Sequence, residues 1–192
     1  IVGPLWLLPL LVLGILIPLL ILAPRRHQES DWQRMASIAH IAVLGLFNIA
    51  TIALLLVHEL SVQHHKAFSG EQLLLAAIQI WLTNILVYAL WFWEIDGRGP
   101  KARCHESFID NPQNADFLFS QSLLDPQLRG KTVWRSRFLD YLFLAFTNAT
   151  AFSPTDTFPL TPLAKTLMMA EALTSLVTIA VIAGRAINIL GQ

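Results

Sequence analysis

The residues best suited to binding a cation lie in one short polar stretch near the end of the chain. Three hydroxyl side chains (Thr150, Ser153 and Thr155) and the carboxylate of Asp156 fall within positions 150–156. Oxygen atoms of this kind can replace the hydration shell of an ion in a membrane pathway. The alternative is that Asp156 caps a turn at the membrane surface, and the sequence leaves both interpretations open.

Glu171 is a second candidate, because it is an acidic residue inside the long apolar segment 163–190. A carboxylate within a membrane helix costs about 2.5–3.5 kcal/mol on insertion scales. This cost favours a functional or paired role, with placement at the membrane interface as the alternative. Thr174, Ser175 and Thr178 follow on the same segment and complete the polar candidates there.

Other chemistries find little support in the sequence. Two groups of potential metal ligands occur, His58, Glu59, His64 and His65 in one segment and Cys104, His105 and Glu106 in another. Neither has the spacing of a known zinc motif, so we expect no metal site. No phosphate loop, nucleophile elbow or carboxylate pair stands out, and we predict that the chain is not an enzyme and needs no cofactor. The formal net charge of zero gives no reason to expect a nucleic-acid partner.

The composition is that of an integral membrane protein. Hydrophobic residues make up 55% and charged residues 14% of the chain, and the mean hydropathy is +0.56. A soluble domain carries about a quarter charged residues. The charges also gather at 25–34, 58–71 and 94–140, as expected for a chain that passes between lipid and water. We therefore predict an all-α protein in the lipid bilayer, in the plasma (inner) membrane of a bacterium.

Four stretches are long and apolar enough to cross a bilayer, which takes about 20 helical residues. They are 1–23, 35–57, 72–93 and 163–190. The first is too long for the apolar core of a signal peptide, so we interpret it as a span. Asn48 and Asn84 lie inside two of these spans, and hydrogen bonds between helices are their expected role. Residues 1–93 thus form a predicted three-helix transmembrane region.

A polar connector, residues 94–137, separates this region from a last module, residues 138–192. A connector of this length without secondary structure would be unusual, so we expect some short helix in it. Two short amphipathic pieces, Phe117–Phe119 and Leu123–Leu124, could lie against the protein or the membrane surface. The module begins with the apolar segment 138–152, which is too short for a comfortable crossing and runs into polar residues. Such a segment is a candidate for a re-entrant helix.

Residues 138–190 resemble the pore module of potassium channels, in which a short pore helix precedes the filter T-x-V-G-Y-G-D, a proline and a T-P-x-x-K-like entry to the inner helix. The corresponding residues here are Thr150, Ala151, Phe152, Ser153, Pro154, Thr155, Asp156, Pro159, Thr161, Pro162 and Lys165. Thr174 and Ser175 fall where many channels carry a hinge glycine. Some uncharacterised bacterial membrane-protein families with a channel-like pore have the same look. The resemblance implies four transmembrane helices plus the re-entrant pore helix 138–149, in a homotetramer that conducts ions.

The filter itself departs from the potassium-channel pattern. Ser153 and Thr155 replace the two glycines, whose backbone conformations cost other L-residues about 1–2 kcal/mol each. Pro154 lies between them with its φ angle fixed near −65°. Potassium selectivity is therefore not implied, and the identity of the ion, monovalent or otherwise, stays open.

The distribution of basic residues conflicts with the channel resemblance. Segments 24–34 and 94–137 hold ten of the thirteen Lys and Arg residues, which favours a cytoplasmic location for both. A complete crossing by 138–158 would then give five transmembrane helices, whereas the resemblance places the connector outside. A five-span small-solute transporter and a non-conducting membrane subunit of a larger complex are the alternative functions.

Overall fold

The computed structural model describes residues 31–61, 70–103, 114–123, 134–150 and 156–190, most of which are helical. Three long helices are α1 (Asp31–Ser61), α2 (Gly70–Ile95) and α5 (Pro162–Leu190). The shorter elements, in chain order, are a 3₁₀ turn (Asp96–Arg98), α3 (Pro100–Arg103), β1 (Phe117–Phe119), a second 3₁₀ turn (Ser120–Leu123), α4 (Phe138–Ala149) and β2 (Thr157–Pro159). The expectation of short helix within the connector is confirmed.

Three of the described helices are long and apolar enough to cross a membrane, at Arg34–Leu54, Leu75–Arg98 and Pro162–Val181. They coincide with the predicted spans 35–57, 72–93 and 163–190, and α4 has the predicted bounds. The chain therefore has the helices of a membrane-associated protein. The remaining predicted span, 1–23, lies outside the described residues.

The long helices pack with alternating direction. The Nε atom of Arg34, in the first turn of α1, lies 3.5 Å from Oε1 of Glu94, in the last turn of α2. Halfway along the same pair of helices, Asn48 contacts Asn84. Asn84 in turn contacts Ser175 of α5. Asp116 contacts both Asp96, just past the end of α2, and Thr161, just before the start of α5, so α5 also runs antiparallel to α2. The first turns of α1 and α5 and the last turn of α2 therefore lie at one end of the bundle, called here the connector end.

Aromatic side chains at the connector end form the centre of the main core. The fully buried ring of Tyr141, on α4, meets the rings of Trp93 and Phe119 edge-on at centroid distances of 5.4 Å and 5.2 Å. Phe92 and Phe117 also meet edge-on, at 5.1 Å. Edge-to-face ring pairs contribute about 0.5–1.5 kcal/mol each beyond the burial of apolar area. The core thus holds α2, β1 and α4 together.

A two-stranded antiparallel sheet is the feature that the predicted all-α class lacks. β1 and β2 pair in the register Phe117↔Pro159, Leu118↔Phe158 and Phe119↔Thr157. Phe117–Phe119 is therefore an extended strand packed on the protein, with both phenylalanines buried. Pro159 has no N–H group and cannot donate a hydrogen bond to the ladder. Edge strands tolerate a proline, and both strands of a two-stranded sheet are edge strands. The sheet joins the connector to the segment just before α5.

The ends of α4 and α5 carry local start signals. Thr161 precedes α5 as its N-cap, and its Oγ1 accepts a 3.3 Å hydrogen bond from the amide of Ala164. Pro162 follows at the first helical position, where its missing N–H costs nothing. At α4, the backbone amide of Arg137 donates to Oδ2 of Asp140 over 2.6 Å. Each cap fixes the residue at which the helix begins.

Candidate functional site

Helix α4 runs from the connector end into the middle of the bundle. In its first turn, the hydroxyl of Tyr141 donates a hydrogen bond to Oδ2 of Asp96, just past the end of α2. In its last turns, the ring of Phe146 packs edge-on against Trp81, at a centroid distance of 5.8 Å. Twelve helical residues extend for about 18 Å, against about 30 Å for the hydrocarbon core of a bilayer. The end of α4 therefore lies at an intermediate depth along α2.

The chain is back at the connector end by Asp156. The backbone carbonyl of Asp156 accepts a 2.9 Å hydrogen bond from the amide of Ser120, and the amide of Leu160 donates to the carbonyl of Asp116 over 2.8 Å. These contacts extend the pairing of β1 with β2 on both sides. The segment that begins with α4 thus enters and leaves at the same end of the bundle.

Asp96 holds the first turn of α4 next to the end of α2 through its hydrogen bond with Tyr141. Its Oδ1 accepts hydrogen bonds from the backbone amides of Asp116 (2.8 Å) and Phe117 (3.2 Å), while its Oδ2 accepts the Tyr141 hydroxyl. The guanidinium of Arg103 lies over the Trp93 ring, 4.7 Å from its centroid. Sequence analysis did not identify Asp96 as a candidate, because nothing local in the sequence marks its distant partners.

The buried polar centre lies at the other end of α4. Glu171 is 0% exposed, and its Oε2 accepts a 2.7 Å hydrogen bond from Nδ2 of Asn148. The same Asn148 amide donates to the carbonyl of Met168 over 2.8 Å. The other carboxyl oxygen, Oε1, is buried without a hydrogen-bond partner. The carboxyl group of α5 is therefore satisfied on one side only.

A hydrogen-bonded network connects three helices next to this centre. Nδ2 of Asn48 donates to Oδ1 of Asn84 over 3.0 Å, and Nδ2 of Asn84 donates to Oγ of Ser175 over 2.8 Å. The hydroxyl of Thr174 also donates to Oδ1 of Asn84, at 3.1 Å. The expectation that Asn48 and Asn84 form hydrogen bonds between helices is confirmed.

The structure describes only the two ends of the predicted filter 150–156. The hydroxyl of Thr150 donates to the carbonyl of Phe146 over 3.0 Å and so caps α4. Asp156 is half-buried beside β2, and its Oδ1 accepts a 3.3 Å hydrogen bond from Thr157. These are contacts of a turn residue at the connector end. Ala151, Phe152, Ser153, Pro154 and Thr155 lie outside the described residues.

The polar candidates on α5 point into the chain. Glu171, Ser175 and Thr178 are buried, and Thr174 is half-buried. Glu171, Thr174 and Ser175 face α2 and α4 through the contacts given above, whereas the hydroxyl of Thr178 donates to the carbonyl of Thr174 within α5. The opposite face of α5 is apolar and exposed, with Leu163, Met169, Leu173, Leu176 and Ile179. Any pore bordered by α5 would thus meet that apolar face rather than these side chains.

No metal centre occurs among the residues that the structure describes, since none of their His, Cys, Asp and Glu side chains form a group of three or more. The side chains of both groups of potential metal ligands lie outside the described part of the chain: His58, Glu59, His64 and His65, and Cys104, His105 and Glu106. At the carbonyl end of α4 the helix dipole places a partial negative charge of about half an elementary charge.

Comparison of the chain with family models, curated proteins and solved structures finds no match. Any functional conclusion therefore depends on the contacts of the described residues.

Proposed function

We propose that the chain is one subunit of a homotetrameric, channel-like membrane protein, in which 138–156 is a re-entrant loop at the mouth of an ion pathway. The observation that carries the proposal is the path of this segment. It enters beside Asp96, reaches the level of Glu171 and returns to pair with β1. Irregular polar backbone is tolerated at membrane depth only where it is buried in protein or lines a water-filled cavity.

The direction of α4 favours a cation over an anion. Its C-terminal carbonyls lie at the inner end of the loop, where their partial negative charge attracts cations. Thr150, Ser153, Thr155 and Asp156 follow directly in the sequence and supply further oxygen atoms. The exposed apolar face of α5 is one face of one helix, and in a single chain it cannot surround a pathway. Several copies around an axis are therefore part of the proposal, with four taken from the potassium-channel resemblance.

The five-span alternative is less well supported. If 138–158 crossed the membrane completely, Thr157 would lie on the opposite side from Phe119. The two residues are instead partners in the β1–β2 ladder. The pairing therefore favours four spans with a re-entrant helix, one of the four being the predicted span 1–23.

The basic residues support an orientation with the connector end in the cytoplasm. By their sequence positions relative to the helices, eleven of the thirteen belong to this end: Arg25, Arg26, Arg34, Arg98, Lys101, Arg103, Arg129, Lys131, Arg135, Arg137 and Lys165. An excess of Lys and Arg marks cytoplasmic segments. The re-entrant loop would then open towards the cytoplasm, opposite to the orientation that the channel resemblance implies.

A non-conducting subunit is the second candidate, and one observation favours it. The hydrogen-bonding groups on α5 are used inside the chain, since Thr174 and Ser175 both contact Asn84. Polar interhelical contacts of this kind also stabilise purely structural membrane bundles. In that case the loop would pack against partner chains.

Ion flux from liposomes containing the purified protein distinguishes the two candidates. We expect flux of a monovalent cation, and a lower flux in Asp156→Asn, because a carboxylate at the mouth concentrates cations. Asp140→Asn is the matched control, since Asp140 lies in the first turn of α4, where its carboxylate caps the helix, and not in the polar stretch 150–156. Native mass spectrometry should show four copies. An intact oligomer without flux for any common ion would favour the non-conducting subunit, and an oligomer without four-fold symmetry would overturn the channel-like arrangement.

A further inference from the structure

The carboxyl group of Glu171 is enclosed without a compensating charge. It is 0% exposed, and no Lys or Arg side chain of the described residues lies within ion-pair distance of it. Its one hydrogen bond comes from the neutral amide of Asn148, to Oε2. Oε1 is buried and has no hydrogen-bond partner. The environment thus provides one neutral donor for a group that would accept several donors if it were ionised.

The neighbouring elements do not supply a charge either. The Asn148 side chain from α4 and the Asn84 side chain from α2 do not titrate. Tyr88, also on α2, is the titratable side chain that faces Glu171 within the described part of the chain, and a phenol is neutral near pH 7. An isolated ionised carboxylate in such surroundings is far more costly than a neutral one, so the group takes up a proton instead.

We propose that Glu171 is a proton-binding site, whose carboxyl group carries a proton while α4 is packed against α5. The proton sits on the carboxyl group, and Oε2 still accepts the Asn148 amide. Loss of the proton would leave a buried negative charge, which is stabilised only if water or a cation reaches Oε1. Because Glu171 is 0% exposed, such access requires the packing around it to open. The side chain in contact with its carboxyl group is Asn148 of α4, so we place this opening between α4 and α5.

The direction of the pH dependence follows from the number of protons that each arrangement binds. The packed arrangement binds one more proton than the arrangement in which α4 has moved away. Lower pH therefore favours packing of α4, and packing weakens as the pH rises. This inference does not depend on whether the protein conducts ions, because it concerns the contact between two helices of one chain.

Infrared spectroscopy of the purified protein tests the proposal directly. At near-neutral pH we expect the absorption band of a protonated carboxylic acid, shifted in D₂O and absent from Glu171→Gln. Asn148→Leu keeps the carboxyl group but removes its donor, so the band should shift and persist. This second variant identifies the band even if Glu171→Gln does not fold. Loss of carboxylate bands alone in Glu171→Gln, or no band shift in Asn148→Leu, would overturn the proposal.

Thermal unfolding in detergent provides an independent readout. The midpoint for the wild-type chain should fall as the pH rises from mildly acidic to mildly alkaline, and the fall should be smaller in Glu171→Gln, which mimics the neutral acid. A midpoint that rises with added sodium or potassium at constant pH, and does so only in the wild-type chain, would show a bound cation at Glu171 and overturn the proposal.

Discussion

The Nδ2 atom of Asn148 lies 2.7 Å from the Oε2 atom of Glu171, and this hydrogen bond joins the last turn of α4 to the third turn of α5. The same amide also contacts the backbone of α5 at Met168. Two contacts from one side chain therefore position the inner end of α4.

Asn148→Ala removes both contacts between the end of α4 and α5. We expect a loss of stability of about 1–3 kcal/mol, because the buried Glu171 carboxyl group loses its donor. Thermal or denaturant unfolding in detergent measures the loss. Leu139→Ala, at an exposed position on the same helix, serves as the control and should change stability much less. Equal losses in the two variants would contradict the assigned role of Asn148.

Asn48 and Asn84 should be energetically coupled. A double-mutant cycle with alanine at both positions should give a coupling energy of about 0.6–1.7 kcal/mol, the range for hydrogen bonds between membrane helices. A second cycle with Asn48 and Asn148, which share no partner among the described residues, should be additive within about 0.5 kcal/mol. Comparable coupling in both cycles would mean that the Asn48–Asn84 contact is not the source.

The contacts of Asp96 should hold the connector more strongly than the hydroxyl of Tyr141 does. Asp96→Ala removes the acceptor for two backbone amides and one hydroxyl, whereas Tyr141→Phe removes only the hydroxyl. Each buried group left without a partner costs about 1–3 kcal/mol. We expect Asp96→Ala to accelerate proteolysis of the connector more than Tyr141→Phe. The opposite order would show that the amides of Asp116 and Phe117 do not depend on Asp96.

Residues 123 and 160 should be accessible from the same side of the membrane. In a Cys104→Ser background, Leu123→Cys and Leu160→Cys introduce thiols at exposed positions of the connector end. A membrane-impermeant thiol reagent should modify both from the cytoplasmic side, and His64→Cys, between α1 and α2 in the sequence, from the opposite side. Modification of residues 123 and 160 from opposite sides would mean that 138–158 crosses completely. Modification of both residues from outside would support the same path of the chain in the opposite membrane orientation.

The sequence predicts the helices well because their signal is local. A run of apolar residues of the right length identified α2 at 72–93, close to the observed Gly70–Ile95. The cost of a carboxylate in an apolar helix likewise marked Glu171 as a candidate. The β1–β2 pairing could not be predicted, because strands of three residues leave almost no periodic pattern and their partners are far apart in the sequence. The roles of Asn148 and Asp96 were missed for the same reason.

The pairing of Phe119 with Thr157 also constrains the order of biosynthesis. β1 leaves the ribosome before β2, by roughly 2–8 s at ordinary elongation rates. During that interval β1 has no strand to pair with, and α4 is a short apolar helix without its partner α5. The helix can reach its final depth only after the beginning of α5 has been synthesised. In the proposed re-entrant arrangement, insertion of α4 is therefore a late step that follows the insertion of α1 and α2.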